Sequence, residues 1–590
     1  MPFDGLTIRA VSDELNQTLY NARIDKIFQP EKDELVFLIR QSGTGAHCRL
    51  LISANVNWAR IHLDEFKKPN PSNPPSFCML LRKYLEGGKI KAIQQIDFER
   101  IVHITIEALD DFREWKEKVL ICEFMGRHSN IILVDPAQNV ILDAIKRFGS
   151  DVSAYREVLP GKLYVKPPDQ GKLDPLLATA EEFSDRAWSL EPDSLLGSAL
   201  FNTFSGISPV ASKDICFAAG LDPLLPVEQC GAYELNTLFL FMKSCLNNLL
   251  QGRTEPTLIY KKGQLADYSP FRFFPADTTE EKATMNQICN VFYHTKWQIM
   301  RLETLRSNYQ RHVKDILDKA NKKRFYQEGD LSNALKNEKY REWGELLTSY
   351  AHTFKKGDTE VTLNNFYTGQ PEIIDLDVRY TPIQNAQRYF KIYNKSRRAI
   401  IMLEKLLEQN AAEIEYLESV SLALSQAESI TELDEIAEEL EKEGYLKKAK
   451  GRQTVTKEKS MPRKYISSDG LTILVGRNNR QNDLLTLKQA EKDDLWFHTK
   501  DIPGSHVIVR LNKQARSIND VPDKTIEEAA SLAAYFSKAR LSSKVPVDYT
   551  FRFHVKKPGG AKPGKVIYDN YWTIMTDPQN LSETGGESNV

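Results

Sequence analysis

The sequence holds no C-x-x-C pair. Its seven cysteines, Cys48, Cys78, Cys122, Cys216, Cys230, Cys245 and Cys289, are odd in number and scattered, which argues against a disulfide framework and against a zinc module. Small buried thiols are the reading that remains. No apolar run is long enough to span a bilayer, and the N-terminus MPFDGLTIRAV has neither a basic region nor an apolar stretch of a leader. A cytoplasmic protein with no membrane partner is the expectation. Excess charge of one sign is missing too, since 79 basic and 80 acidic residues leave a net −1. Whole-chain charge is therefore silent about nucleic acid, and its distribution has to be read instead.

The distribution is uneven. Residues 447–464, KKAKGRQTVTKEKSMPRK, carry one acid, Glu458, and follow the acidic ESITELDEIAEELEKE. The segment FRFHVKKPGGAKPGK, Phe551 to Lys565, has no acid at all and includes Lys556, Lys557 and Lys562. Local basic patches of this kind bind phosphates whatever the net charge.

At 590 residues the chain is long enough for about four domains. Residues 1–172 read as an α+β domain: GLTIRAVSDELNQTL has helical spacing, PSFCMLLRKYLE opens after Pro74-Pro75 and stops at Gly87-Gly88, and ELVFLIR, CRLLISA, IVHITIEAL, EKVLICEF and NIILVD read as strands. Residues 173–275 read as mainly helical, with a Gly206-Ile207-Ser208 turn before Pro209 that fits a helix-hairpin-helix or an ordinary helical hairpin. Residues 276–450 read as a coiled-coil arm. Ile400, Leu403, Leu407, Asn410, Ile414, Leu417, Ser421 and Leu424 fall on three- and four-residue steps, with Leu302, Leu305, Tyr309 and Ile316 as the facing stripe. The turn-rich insert between them predicts an antiparallel hairpin with a tip, its helices about 70 Å long at 1.5 Å per residue; self-dimerisation is the competing arrangement. A short helix from Glu432 to about Glu443 is expected to start at Thr431 and end at Gly444. Residues 451–577 read as a last α+β domain with strands LTILVG, LWFHT, HVIVRL, DYTFRFHV and KVIYD around the helix IEEAASLAAYFSKAR, and 578–590 as a disordered tail.

LWFHTKDIPGSHVIVR, Leu495 to Arg510, gathers the groups that a nucleophilic site or an RNA surface would use. Period-2 alternation turns Leu495, Phe497, Val507 and Val509 inward. Trp496, His498 and His506 then offer stackable faces and donors, and Lys500 and Arg510 offer charge, a set that suits RNA.

In order along the chain, RIDKIFQPEKDELVFLIR, NPPSFCMLLRKYLEGGKI, EFMGRHSNIILVD, NAQRYFKIYNK and DDLWFHTKDIPGSHVIVR resemble the bacterial NFACT family over nearly the whole sequence. The resemblance implies a ribosome quality-control factor without catalytic residues, cofactor or metal. Such a factor binds a large ribosomal subunit obstructed by peptidyl-tRNA and recruits alanyl-tRNA, so that an alanine tail marks the stalled chain for degradation; a small RNA-binding partner protein accompanies it. The family's N-terminal acid falls on Asp4, and its Asp-Arg pair for tRNA on Glu99-Arg100, with glutamate in place of aspartate. Arg127 and His128 in GRHSN form a second RNA-facing pair. Two other classes stay open: a surface adhesin, suggested by the family's older fibronectin-binding nomenclature, and a DNA glycosylase-like enzyme using Pro2, whose expected acidic neighbour is replaced by Phe3.

Overall fold

The N-terminal helix owes its start to Asp4. Its side chain accepts the Thr7 amide at 3.0 Å, capping α1 (Gly5–Leu19), whose Leu6, Val11, Leu15 and Leu19 are buried. The computed structural model describes residues 3–110, 112–191, 193–273, 278–447, 460–511 and 517–581, so Pro2, residues 448–459 of the basic stretch and residues 582–590 of the tail lie outside the described residues. The chain divides into two units at Trp297.

In the first unit, strands β1 (Arg23–Glu31), β2 (Glu34–Arg40), β3 (His47–Ser53) and β4 (Arg60–Leu63) precede α2 (Ser76–Leu85). Then follow β5 (Lys89–Gln95), β6 (Ile101–Leu109), β7 (Trp115–Glu123), β8 (Asn130–Asp135) and β9 (Val140–Ala144). The nine strands make one antiparallel sheet in the order β4-β3-β2-β1-β5-β6-β7-β8-β9. Because β5 to β8 are joined by successive hairpins, the β5–β6 and β7–β8 turns share one end of the sheet. Four helices follow: α3 (Ala180–Trp188), α4 (Leu196–Thr203), α5 (Pro209–Ala218) and α6 (Ala232–Leu250). Phe183, Leu200, Phe204, Ile215 and Leu238 join the same core as α1.

The helical reading of 173–275 holds only to Leu250. Strands β10 (Thr257–Lys261), β11 (Gln264–Ser269) and β12 (Thr278–Glu281) form a small sheet instead. Lys262 and Gly263 both have positive φ, 51° and 73°, the backbone of a two-residue hairpin turn, and TLIYKKGQLADYS was legible as such.

Helix α7 (Met285–Lys336) begins in the first unit, where Glu14 accepts the Met285 and Asn286 amides at 2.7 and 3.0 Å. In the second unit it pairs with α9 (Pro382–Gln426). Asn410 Nδ2 donates to the Ala320 carbonyl at 3.1 Å and to Gln327 Oε1 at 3.2 Å, and Asn337 donates to Ser396 at 2.9 Å. As numbers rise on one helix they fall on the other, so the pair is antiparallel. Val313, Leu417, Val420 and Leu424 are buried in its seam, with Leu302, Leu305, Tyr309 and Ile316 packed against them. The 52 residues of α7 correspond to about 78 Å. The insert is a small folded tip of α8 (Lys339–Ser349) and the hairpin β13 (Glu360–Asn364) and β14 (Pro371–Asp375) around Leu346, Leu347 and Ile374. Helix α10 (Ile430–Lys442) starts two residues earlier than expected: Ser429, not Thr431, accepts the Glu432 amide at 3.2 Å, and Gly444 ends it at φ 84°.

The last domain comprises β15 (Arg463–Ile466), β16 (Thr472–Val475), α11 (Asn479–Leu484), β17 (Leu495–Thr499), β18 (Val507–Val509), α12 (Asp523–Tyr535), β19 (Val545–Phe551), β20 (Val555–Lys556), β21 (Ile567–Tyr568) and β22 (Trp572–Thr576). Its main sheet runs β15-β16-β18-β17-β19-β22. One face, with Leu495, Phe497, Val507 and Val509, packs on Ala529, Ala530 and Ala533 of α12, as the alternation required. Among the described residues no helix is long and apolar enough to cross a membrane, and no group of three or more His, Cys, Asp or Glu side chains could hold a metal ion.

Candidate nucleic-acid interface

Two turns, about a hundred residues apart in sequence, meet in the first unit. After β5 the backbone is left-handed at both Asp97 and Phe98, φ 50° and 53°, and the Glu99 amide closes the turn on the Ile96 carbonyl at 2.8 Å. Gln95 holds it from inside, donating to the carbonyls of Gly5 and Glu99 at 2.9 and 3.0 Å. Against it lies the α4–α5 turn. Gly206 sits at φ 71°, its carbonyl accepts the Gly5 amide at 2.6 Å, and a Cβ there would fall 2.1 Å from the Phe98 carbonyl oxygen. Ser208 caps α5 through the Ala211 amide at 3.1 Å and donates its hydroxyl to Asp4 at 2.7 Å.

The result is a cavity of about 130 Å³ whose walls include Asp4, Glu99, Arg100, Lys172, Gly206 and Ser208. Asp4, Glu99 and Arg100, three of the residues singled out in sequence, thus meet the Gly206–Ser208 turn between α4 and α5. Asp4 is buried, with its carboxylate taken by Thr7 and Ser208. Burial raises its pKa, against the lowering effect of those hydrogen bonds. Asp4 is thereby a positioning group that ties α1 to α5. The Arg100 guanidinium makes no side-chain hydrogen bond or ion pair among the described residues and stays available to a ligand. Burial also pushes Glu99 up, opposed by Arg100 and Lys172, and pushes Lys172 down. Lys172, which sequence reasoning missed, donates to the Phe201 carbonyl at 2.6 Å and lies 4.1 Å from the centre of that ring. It sits in the Pro- and Gly-rich joint PPDQGK, where nothing local marks it. A planar guanidinium and an ammonium beside a half-buried carboxylate can grip a phosphate or a guanine edge and orient the grip.

Arg127 and His128 are exposed on the β7–β8 turn at the same end of the sheet, outside the cavity, with Arg127 Nε donating to His128 at 2.9 Å. The neighbouring Phe124 amide bonds the Arg100 carbonyl at 2.9 Å. A buried ion pair, Arg156 with Glu123 at 2.7 and 2.6 Å, joined by the Tyr164 hydroxyl, fixes the root of that turn.

In the last domain the structure corrects the expected RNA face. Trp496 and Ile508 do point away from α12, but that side is covered by α11 and the 552–568 segment, with Leu485 and Val555 packed on them. Trp496 is fully buried, and its ring stacks on His498 and meets His506 edge-on. His506 is 1% exposed and shares a 2.8 Å hydrogen bond with Thr486. Burial lowers the pKa of both histidines, which keeps them neutral. Arg510 pairs with Asp494 at 3.0 Å.

The acid-free loop finds its acids elsewhere in the chain. Lys557 pairs with Asp483, Lys562 with Glu443 at 2.7 Å, and Lys565 with Glu415 at 2.6 Å. Of the three lysines singled out in this loop, Lys556 is exposed and makes no ion pair among the described residues. The same domain has aromatic faces the sequence reading passed over: Phe553, Tyr571 and Trp572 are 47%, 45% and 39% exposed, and the half-buried Lys500 lies 5.5 Å from the Tyr571 ring. Stacking faces beside cations are what single-strand RNA binding uses; the strand DNYWTIMT carries that signal in the sequence. Lys556→Gln is therefore expected to weaken RNA binding and flatten its salt dependence. Lys562→Gln, by contrast, is expected to leave that slope unchanged. Fluorescence anisotropy with a short oligoribonucleotide over a salt series tests this, and equal slopes for the two variants would sink it.

The first unit thus carries this cavity, and the second an antiparallel arm and a β-rich last domain with aromatic faces and cations at its surface. The chain belongs to the NFACT family: residues 4–459 match the NFACT N-terminal and middle domains, and residues 461–570 the NFACT protein RNA binding domain. It is 38% identical to the Rqc2 homolog RqcH of Bacillus subtilis over 589 residues, 98% of each chain. Over 152 residues, 25% of this chain and 13% of the other, it is 32% identical to the human ribosome quality control complex subunit NEMF. Among solved structures, the N-terminal part of the fibronectin/fibrinogen-binding protein from Streptococcus suis aligns at 29% identity, covering 50% of this chain and 99% of that one, with a TM-score of 0.41.

Proposed function

We propose that the protein is a ribosome quality-control factor without catalytic activity of its own, acting in the cytoplasm. It binds large ribosomal subunits obstructed by peptidyl-tRNA and presents alanyl-tRNA, so that the ribosome adds an alanine tail to the stalled chain. Family membership supports the process. The observation that carries tRNA engagement is the unpaired Arg100 beside Glu99 and Lys172 against the Gly206–Ser208 turn, since backbone amides at a helix start and a guanidinium together suit a phosphate-bearing loop. Large-subunit binding is assigned to the arm and the last domain.

Arg100→Ala removes one charge-assisted contact, typically about 1.5–3 kcal/mol, and is expected to lower tRNA affinity by about tenfold or more. Recovery of large subunits should stay near wild type. Sequencing the RNA that co-purifies with tagged wild-type and variant protein, together with alanine incorporation into a stalled peptide, reads both. A folded Arg100→Ala protein that retains wild-type tRNA and tailing would refute the assignment.

A further inference from the structure

A second cavity, of about 40 Å³, lies in the first unit and shares no wall residue with the first. Arg60 and His62 of β4 form its floor, Lys67 and Lys68 follow, and Tyr293 and Trp297 of α7 close it. Two nitrogens on these residues are enclosed and meet no hydrogen-bond partner among the described residues: His62 Nδ1, on a residue 2% exposed, and Arg60 Nε, on a residue 6% exposed. The guanidinium cannot swing to satisfy itself. Its other two nitrogens are committed to the Trp58 carbonyl at 2.8 Å and to Glu34 at 3.3 Å, and it stands 4.7 Å from the centre of the Tyr293 ring. Buried polar atoms left unpaired are costly, and both of these belong to residues that line the one cavity.

Charge narrows the choice. Arg60 and Lys68 share one buried carboxylate, that of Glu34, and Asp64, also buried in the wall, is engaged by Arg49 at 3.5 Å. Lys68 also reaches the exposed Glu31 at 3.3 Å, while Lys67 at the rim adds a further cation. The positive field is strong enough that Arg60 and Lys68 add to burial in holding His62 well below its ordinary pKa. We infer that this cleft is a binding site for a phosphate group. Its volume exceeds the roughly 10–15 Å³ that one water-sized probe occupies but falls far short of a nucleotide, so only the phosphate enters. The remainder of the ligand would lie over Phe66, which is 38% exposed and stacks on His294. The same chemistry fits a free phosphate ester and the phosphate of an RNA strand.

The test uses the full-length protein labelled at its ten histidines, with the His62 ring resonance assigned by its loss in His62→Gln. Inorganic phosphate added to a chloride buffer is expected to move that resonance saturably. Lys68→Gln, which leaves Glu34 paired with Arg60, should weaken the effect about tenfold, and Arg100→Ala should leave it unchanged. Uridine 5′-monophosphate and 5′-phosphorylated and 5′-hydroxyl hexauridylate separate the sources. Tighter binding of the 5′-phosphorylated strand identifies an RNA end, equal binding of both strands an internal phosphate, and preference for the small molecules a free ester. A resonance that does not move, moves linearly with ionic strength, or moves equally in Lys68→Gln overturns the site. Because Arg100→Ala is carried in parallel, failure here is distinct from failure of the tRNA assignment.

Discussion

Gly206→Ala is expected to destabilise the first unit by about 4 kcal/mol, combining about 1–3 kcal/mol for a side chain held in the left-handed region with about 1–3 kcal/mol for overpacking. The added methyl would meet the Phe98 carbonyl, and that carbonyl belongs to the turn that presents Glu99 and Arg100. Relief by moving either turn pulls apart the Gly5–Gly206 hydrogen bond and the Asp4–Ser208 contact. Gly220→Ala is the control. Gly220 also has positive φ, 79°, but open space around its Cβ position, so only about 1 kcal/mol is expected from the backbone. Denaturant midpoints of the two variants decide: a Gly206→Ala protein within 1 kcal/mol of Gly220→Ala would show that the close approach is not rigid. Loss of tRNA affinity should accompany the larger shift, although Gly206 carries no charge.

Trp496→Ala should cost about 3–5 kcal/mol, the usual range for emptying a fully buried aromatic site. The ring is a central piece of the layer formed by Leu485, Ile508 and Val555, and it supports His498 and His506. RNA binding would fall in this variant because the last domain loosens, not because a stacking face is lost. Trp572→Ala separates the two causes: its side chain is partly exposed on the edge strand β22, so RNA affinity should drop with little change in unfolding midpoint. If Trp496→Ala keeps wild-type stability and loses RNA, the buried placement does not describe the domain in solution.

What the sequence made legible was what neighbouring residues decide. Helix α1, strands β6, β8 and β17 and the Gly87 stop followed from local periodicity and punctuation, and the heptad steps around Asn410 located the arm. What it concealed depends on distant partners. Lys562 looked like an uncompensated cation because Glu443 lies 119 residues away, and Lys565 because Glu415 lies 150 away. Trp496 looked available because alternation says which residues share a face but not whether a loop covers that face. In the candidate site, Arg100 and Asp4 came from family resemblance. The reason they matter together, the 204-residue link between Asp4 and Ser208, exists only in three dimensions.

Asn410 gives the arm a ruler. Its amide is 1% exposed, and its two donor bonds are made only when α9 sits at one height beside α7. Leucines and isoleucines along the seam would tolerate a slide of one heptad, since every seventh position offers another apolar surface. The amide would not, because a slide strands a polar group among them. The stability given up for that polar position sets a discrete length: the folded tip stands a fixed number of turns from the base where α10 and the last domain are held, and two ligands at the arm's two ends would be kept at one spacing.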